Sequence, residues 1–446
     1  MEKPIAIVLG GTSPHVLLVN KLHERGYYVL LIDYLPNPPA KKVADEHIQA
    51  STLDKEQVLD IAKDRKANLV ISTCIDQANS VCCYVAEKLN LPHPYSYETS
   101  LYVTNKGLMK ARMKEFDVPS SPFILAQNVE SVDWKRVSFP CVVKPVDCNS
   151  SKGVHRADSI EEAKPFVEEA IRLSQTGEAI IEGFCVGDEI QVDCVALEHE
   201  ADVVMTRSKV KVSRGNETVL NSFGSIVPAQ VSDSVVPLLK QIAVNIAKGF
   251  DLRNTPFFYQ AIVSGNQVNV LEFAPRVGGG LSYYMIKNFV GFDAVEATVD
   301  SFLGIPINTS YHAPEKVYRT CLLYSKPCVF DHIEGLEELK DKGIVKEIFI
   351  TKNRGDVIDG DMRSSNRVGS FIVEASSIEE LNEKADYCFK RIKTMDMFCN
   401  NQTISILPTP PAHIIRVIWL ICNTKKDVHL LERPHCGYLF TERRAA

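Results

Sequence analysis

The stretch from Tyr259 to Gly280, YQAIVSGNQVNVLEFAPRVGGG, constrains this chain more than any other. Ser264, Gly265 and Asn266 separate two short apolar-rich runs, which reads as a β-hairpin running into a Pro-Arg step and three glycines. Such a hairpin brings Gln260 on its first strand close to Glu272 on its second. An amide and a carboxylate so placed suit a hard cation such as Mg²⁺, with Mn²⁺ as a substitute, completed by phosphate oxygens of a ligand. Arg276 follows with a planar cation matched to phosphate. Gly278, Gly279 and Gly280 allow the backbone to approach an anion closely. The plain alternative is a solvated Glu–Arg pair, so the reading depends on what stands upstream.

The chain has 446 residues, 45% hydrophobic and 24% charged, as expected for an ordinary globular protein of two or three domains. Its net charge of -6 offers no basic field for nucleic acid or an anionic membrane, so a bound phosphate must be held by local groups. A nucleotide fits better than a polymer. The 13 cysteines form no CxxC pair, which argues for reduced thiols and against zinc. The opening MEKPIAIVLGG enters a strand without a secretory apolar region, and a cytoplasmic location is expected.

The apolar run Ile5 to Leu9 ends in Gly10-Gly11, and a helix-period stretch leads to a second strand, Tyr27 to Ile32, closing on Asp33. This βαβ unit opens a doubly wound parallel-sheet domain over residues 1–95. A dinucleotide reading would use Gly10, Gly11 and Asp33, but GxGxxG is missing. A helix is expected over 101–116, with Lys106, Lys110 and Lys114 on one face, a spacing typical of a solvated surface. Phe139 to Pro145, FPCVVKP, places Lys144 in an apolar strand, where an amine needs an anionic partner. Ser150, Ser151, Lys152 and Gly153 form a small polar loop after it, outside the P-loop pattern and equally readable as a turn. Glu182 sits in the apolar strand AIIEGF, and Glu189 follows a Gly187-Asp188 step. A hairpin with exposed acids accounts for that segment as well as a nucleotide contact does.

Taken together, these segments resemble the ATP-grasp enzymes, from the N-terminal sheet to about residue 400. The carriers are Lys106 in TNKGLMKARM with the VPSSPF turn after it, Lys144 with the SSKGV loop, Glu182 and Glu189 in IIEGFCVGDEIQVD, and Glu272 with Arg276 in LEFAPRVGGG. The resemblance implies an ATP clamped between two α+β subdomains within residues 96–315. Lys106 and Lys144 would contact its phosphates and, with Arg276, take part in catalysis. Ser150 to Gly153 would form a flap, Glu182, Gly183, Phe184, Cys185 and Val186 would hold adenine, and Glu189 would bind ribose. Gln260 and Glu272 would hold the metal, as in the carbamoyl-phosphate-synthase-like branch. Asparagine is usual two residues after the second metal-binding glutamate. Here Ala274 stands there, as in some amino-acid ligases of the superfamily.

Arg214 and Ser225 are candidates for contact with a substrate carboxylate, as are the three glycines. From residue 316 a smaller α+β unit is expected to 404, with helices over 333–340 and 378–395. In ligases that resemble this chain such a unit borders the site, which brings in Arg363 and Arg367. The segment 405–446, Pro-rich and then basic, fits nothing before it and is set aside from the fold as an appended tail. Its HIIRVIWLIC run is too short to span a bilayer. The expected activity is an ATP- and Mg²⁺-dependent ligase joining a carboxylate to an amine through an acyl phosphate. An amino acid or similar small molecule is the expected substrate, and a homodimer the expected assembly. A bicarbonate-using or carbamoyl-phosphate-type enzyme, a nicotinamide oxidoreductase and a non-catalytic nucleotide sensor are the alternatives.

Overall fold

The computed structural model describes residues 3–148, 152–198, 200–214, 217–359, 366–404 and 415–416. In the first domain, β1 (Ile5–Leu9), β2 (Tyr28–Asp33), β3 (Glu46–Gln49) and β4 (Leu69–Ile71) form a parallel sheet in the order β3-β2-β1-β4. Helices α1 (Ser13–Glu24), α2 (Lys55–Asp64) and α3 (Asp76–Leu89) complete it. Ile7, Leu9, Leu31 and Val70 are fully buried, as strands covered on both faces require. A Cβ added to Gly11 would lie 2.4 Å from Pro38 Cβ, and Asp33 Oδ1 accepts the Leu35 backbone N–H at 2.8 Å. Gly11 is thus packed against Pro38, and one Asp33 oxygen is taken by its own chain.

The single helix expected over 101–116 is in fact two, α4 (Tyr97–Thr104) and α5 (Lys106–Glu115). Asn105 adopts an extended conformation between them, and its side chain accepts the Gly107 and Leu108 N–H groups, which is a helix start. The next sheet is small and antiparallel. It is built from β5 (Phe123–Ala126), β6 (Cys141–Pro145), β7 (His155–Ala157) and β8 (Ala179–Gly183) in the order β5-β8-β6-β7. Helix α6 (Ile160–Leu173) buries Ala163, Val167 and Ala170 against one face. The other face is left for the site.

The large sheet carries β9 (Asp188–Ala196), β10 (Ala201–Arg214), β11 (Glu217–Val227), β12 (Thr255–Ser264) and β13 (Gln267–Ala274), with α7 (Val236–Gly249) packed on it. After α8 (Ser282–Val290) and α9 (Ala294–Leu303), the chain returns to the same sheet through β14 (Val317–Leu323). The C-terminal region adds β15 (Cys328–Glu334), α10 (Leu336–Asp341), β16 (Glu347–Ile350), β17 (Val357–Ile358), β18 (Gly369–Ala375), α11 (Ile378–Phe389) and β19 (Lys393–Asp396). The large sheet runs β13-β12-β9-β10-β11-β14-β18-β16. Both helices expected in this region are shorter than their patterns suggested. Ile333 and Thr394 pair across β15 and β19, so strand pairing takes the start of one pattern and the end of the other.

Helix α9 packs into the first domain. Val295, Val299 and Phe302 belong to the same buried cluster as Leu18 and Leu22 of α1. Lys21 pairs with Asp293 and Glu296, and Arg25 pairs with Glu296 and Asp300. Among the described residues no helix is long and apolar enough to cross a membrane.

Candidate active site

The inner faces of the small and large sheets enclose a cleft of about 830 Å³ that also reaches the first domain and the C-terminal region. On the small sheet, Glu182 pairs laterally with Val142, and Lys144 lies two residues further along β6, so all three share one face. Lys144 Nζ lies 2.9 Å from Glu182 Oε1, and Lys110 Nζ lies 3.4 Å from Oε2. Burial alone would raise the Glu182 pKa, but Lys144 and Lys110 hold it below the usual glutamate range. Burial lowers the pKa of Lys110, against the pull of Glu182.

The lysine stripe is therefore not a solvated face. Lys106 and Lys110 are one helical turn apart on α5 and turn inward, while Lys114 remains exposed. Lys106 Nζ donates to Cys148 O at 2.7 Å, and its backbone N–H donates to Val146 O at 2.8 Å, tying α5 to the strand that carries Lys144. Burial lowers the Lys106 pKa, opposed chiefly by Glu272. The Glu182 carboxylate is engaged by lysines and does not present itself to a base. Gly183, Phe184 and Cys185 after it line the cleft, whereas Val186 is 75% exposed and does not.

The large sheet shows how its own residues are brought together. Glu272 pairs with Gln260, Gln260 with Gln191, and Gln191 with Arg207, giving one lateral row across four strands. Residues in such a row share a face. Among the described residues neither Gln260 nor Glu272 shows a hydrogen bond or ion pair closing off its oxygens. No group of three or more His, Cys, Asp or Glu converges among them either, so a cation there would draw further oxygens from its ligand. The donor set fits Mg²⁺ on those terms. Ala274 is buried and contributes only its methyl group and its carbonyl, which accepts the Arg276 N–H at 2.9 Å.

Further along the same strands, two residues from Gln191 on β9 and four from Arg207 on β10, Lys211 Nζ meets Glu189 Oε2 at 2.6 Å. Lys209 lies between Lys211 and Arg207 on that face and lines the cleft. Burial, reinforced by Arg207, lowers its pKa to about 8. Arg207 itself is buried beside Asp193, with Nε 3.9 Å from Oδ2, and it donates to Ser282 Oγ. Gln191 Nε2 donates to Asp193 Oδ1 at 2.7 Å. Burial lifts Asp193 above the usual aspartate range in spite of Arg207.

Arg276 is fixed by the first domain. Its Nε and Nη2 donate to the two Asp76 oxygens at 2.6 Å each, Nη1 donates to Val277 O at 2.9 Å, and its Cζ lies 5.1 Å from the Phe258 ring centroid. Of the three glycines, Gly279 lines the cleft and Gly280 has a φ of +69° with open space around it. Gly278 is packed down on the sheet, where an added Cβ would lie 2.4 Å from Gln191 Nε2. Ser225 faces α8, with Oγ 4.0 Å from Met285 Sδ, and does not line the cleft. Arg367 and Tyr324 line it from the C-terminal side. Gly153 packs at the root of the polar loop, where a Cβ would lie 2.7 Å from Leu173 Cδ1, and Lys152 is exposed. Ser150, Ser151 and Arg363 lie outside the described residues, as does the Arg214 side chain.

Sequence reasoning missed Lys110, Arg207, Lys209, Lys211 and Asp76. The alternation Arg207-Ser208-Lys209-Val210-Lys211 carried a strand signal for three cations on one face. Asp76 carried none, since its partner is 200 residues away.

Residues 137–284 match the ATP-grasp domain family, and residues 321–394 match the L-amino acid ligase C-terminal domain 2 family. Two formate-dependent phosphoribosylglycinamide formyltransferases are among the curated relatives. That of Rhodococcus jostii (strain RHA1) is 24% identical over 319 residues, covering 69% of this chain and 77% of the relative. That of Hydrogenovibrio crunogenus (strain DSM 25203 / XCL-2) is 24% identical over 372 residues, covering 81% and 88%. Among solved structures, an L-amino acid ligase from Bacillus licheniformis superimposes with a TM-score of 0.75 at 18% identity, covering 89% of this chain and 100% of that one. A phosphoribosylglycinamide synthetase from Anaerococcus prevotii does so with a TM-score of 0.69 at 18% identity, covering 89% and 100%. At these identities the structural likeness speaks for the fold.

Proposed function

We propose that this chain, whose residues 137–284 match the ATP-grasp domain family, is an ATP-dependent ligase that joins a small carboxylate to an amine through an acyl phosphate. The observation that carries this reading is the convergence on one cleft of Lys106 from α5, Lys144 from the small sheet, Gln260 and Glu272 from the large sheet, and Arg276 just beyond β13. Oxide is a poor leaving group, so a carboxylate must be activated before an amine can displace anything from it. Attack of the carboxylate on the γ-phosphorus of ATP gives an acyl phosphate and ADP. The amine then adds to the acyl carbon, phosphate departs, and the amine loses a proton.

Positioning and charge neutralisation dominate such a transfer. Lys106 and Lys144 would hold phosphate oxygens, with Lys144 kept in place by Glu182. Mg²⁺ at Gln260 and Glu272 would neutralise phosphate charge. Arg276 would face the phosphoryl group in flight. Gly183 to Cys185 would lie against the base and Glu189 would take the ribose, with Lys152 and Gly153 at the edge of the phosphate loop.

An amino acid is the proposed substrate. The match of residues 321–394 to an L-amino acid ligase domain supports this, as does the presence of Arg367 and Tyr324 from that region on the cleft wall. A second reading follows the curated relatives, with formate as the carboxylate and a phosphorylated amine as acceptor. Release of ADP and phosphate from Mg·ATP should be measured with single amino acids, amino-acid pairs, formate, other small carboxylates and bicarbonate. Release that requires one carboxylate and one amine, and that disappears in Glu272→Ala and Lys144→Ala, is the expected result. Release stimulated by bicarbonate alone would replace the ligase with a carboxylating enzyme.

A further inference from the structure

The first domain reaches the cleft through Asp76, the opening residue of α3. Its two carboxylate oxygens take one N–H from Nε and one from Nη2 of Arg276, both at 2.6 Å, and Val277 O takes one from Nη1. A guanidinium has five N–H groups in a rigid plane. Three are engaged, which leaves one on each terminal nitrogen. Phe258 lies against the guanidinium, and both side chains of the pair are nearly buried, at 12% and 14% exposure. Arg276 is thus held by its inner edge while two donors remain for a ligand. The first domain behind Asp76 is anchored in turn, because α9 packs in its core and Lys21 and Arg25 pair with Glu296 and Asp300 of that helix.

We infer that Asp76 is a positioning residue for phosphoryl transfer, holding Arg276 so that its two remaining donors form a preorganised fork for the oxygens of the group in transit. The inference rests on the reading of Arg276 under the proposed function. A bidentate Arg–carboxylate pair fixes both the direction and the plane of the guanidinium, which one hydrogen bond does not. Preorganised donors stabilise developing charge without reorganising during the reaction. Seating of the first domain is thereby coupled to chemistry on the large sheet, and Asp76 contributes without touching the reacting atoms.

Calorimetric titration of the full-length protein with Mg·ADP alone and with Mg·ADP plus aluminium fluoride, which mimics the group in flight, provides the test. The wild type should bind the fluoride complex more tightly than Mg·ADP. Asp76→Asn should lose at least about tenfold of that gain while its affinity for Mg·ADP stays within about twofold. Asp76→Glu, which restores a carboxylate, should recover most of the gain. Arg276→Lys should lose it, and Asp76→Asn combined with Arg276→Lys should lose no more than Arg276→Lys alone, because both act through one contact. A full gain in Asp76→Asn, or additive losses in the double variant, would overturn the inference. A wild type indifferent to aluminium fluoride, or an Arg276→Lys variant that keeps the gain, would remove the reading of Arg276 itself and the inference with it.

Discussion

Both walls of the cleft are built from lysines around a glutamate, yet they treat charge differently. On the small sheet, Glu182 is shared by Lys110 and Lys144, and all three are almost withdrawn from water. On the large sheet, Glu189 is taken by Lys211, while Lys209 beside it feels Arg207 and Lys211 against Glu189 and Asp193, and burial decides the balance. The first arrangement fixes the position of a cation. The second leaves a cation whose charge depends on what binds next to it. One wall acts as a frame and the other as a responsive surface, and each can be broken separately.

The largest effect should come from the frame. Glu182→Ala strands two buried ammonium groups and should destabilise the protein by about 3–5 kcal/mol, read as a shift in its urea unfolding curve. A normal midpoint would mean that the triad is not under electrostatic tension. The same carboxylate sets a pH limit. Its folded pKa is depressed, so its stabilisation is complete above the ordinary glutamate range and is lost as pH falls through the folded value. Acid unfolding of Glu182→Gln should lack that component.

Lys144→Ala should reduce substrate-dependent ATP turnover by about 10²–10³, a loss typical of one preorganised charge at a transition state. An effect under tenfold would move the phosphate contact elsewhere. On the responsive wall, Lys209 is protonated below its folded pKa of about 8 and neutral above it. A bound anion favours the protonated form, so nucleotide or inorganic phosphate affinity should fall by about tenfold as pH rises through 8. The apo protein should behave in the opposite way. The folded pKa lies below the unfolded 10.5, so the strain of the buried charge is present below 8 and is relieved between 8 and 10.5. Lys209→Met should flatten both profiles, and unchanged profiles would place their origin in another group. Smallest of all, Glu189→Gln should lower stability by only about 1–2 kcal/mol, because the amide oxygen can still accept from Lys211 and one cation rather than two loses its counter-charge. A loss comparable to that of Glu182→Ala would erase the distinction between the two walls.

The comparison also explains what could be read from the chain. Lys144 was visible because one amine in FPCVVKP needs an anion, and the Gln260–Glu272 pairing followed from the turn between them. The parallel first sheet was visible from its apolar runs and helix-period stretches. Lys110 was hidden, because helical spacing tells which residues share a face but not whether that face meets water or a sheet. The role of Glu182 was hidden for the same reason, since its partners come from β6 and α5. The Asp76–Arg276 contact depends on how the first domain sits and leaves no local trace. Ser225 and Gly278 had suitable chemistry, yet α8 and the large sheet take up the space beside them.

The packing of α9 bears on how such a chain can be cut or recombined. Val295, Val299 and Phe302 lie some two hundred residues beyond the first sheet, yet they complete its core. Removing the first domain would leave an apolar helix face exposed to solvent, and exchanging it for a homologous one would set new side chains against an old helix. A viable exchange must therefore carry the helix along with the sheet it covers, so the unit that can be inherited as a block is discontinuous in the gene.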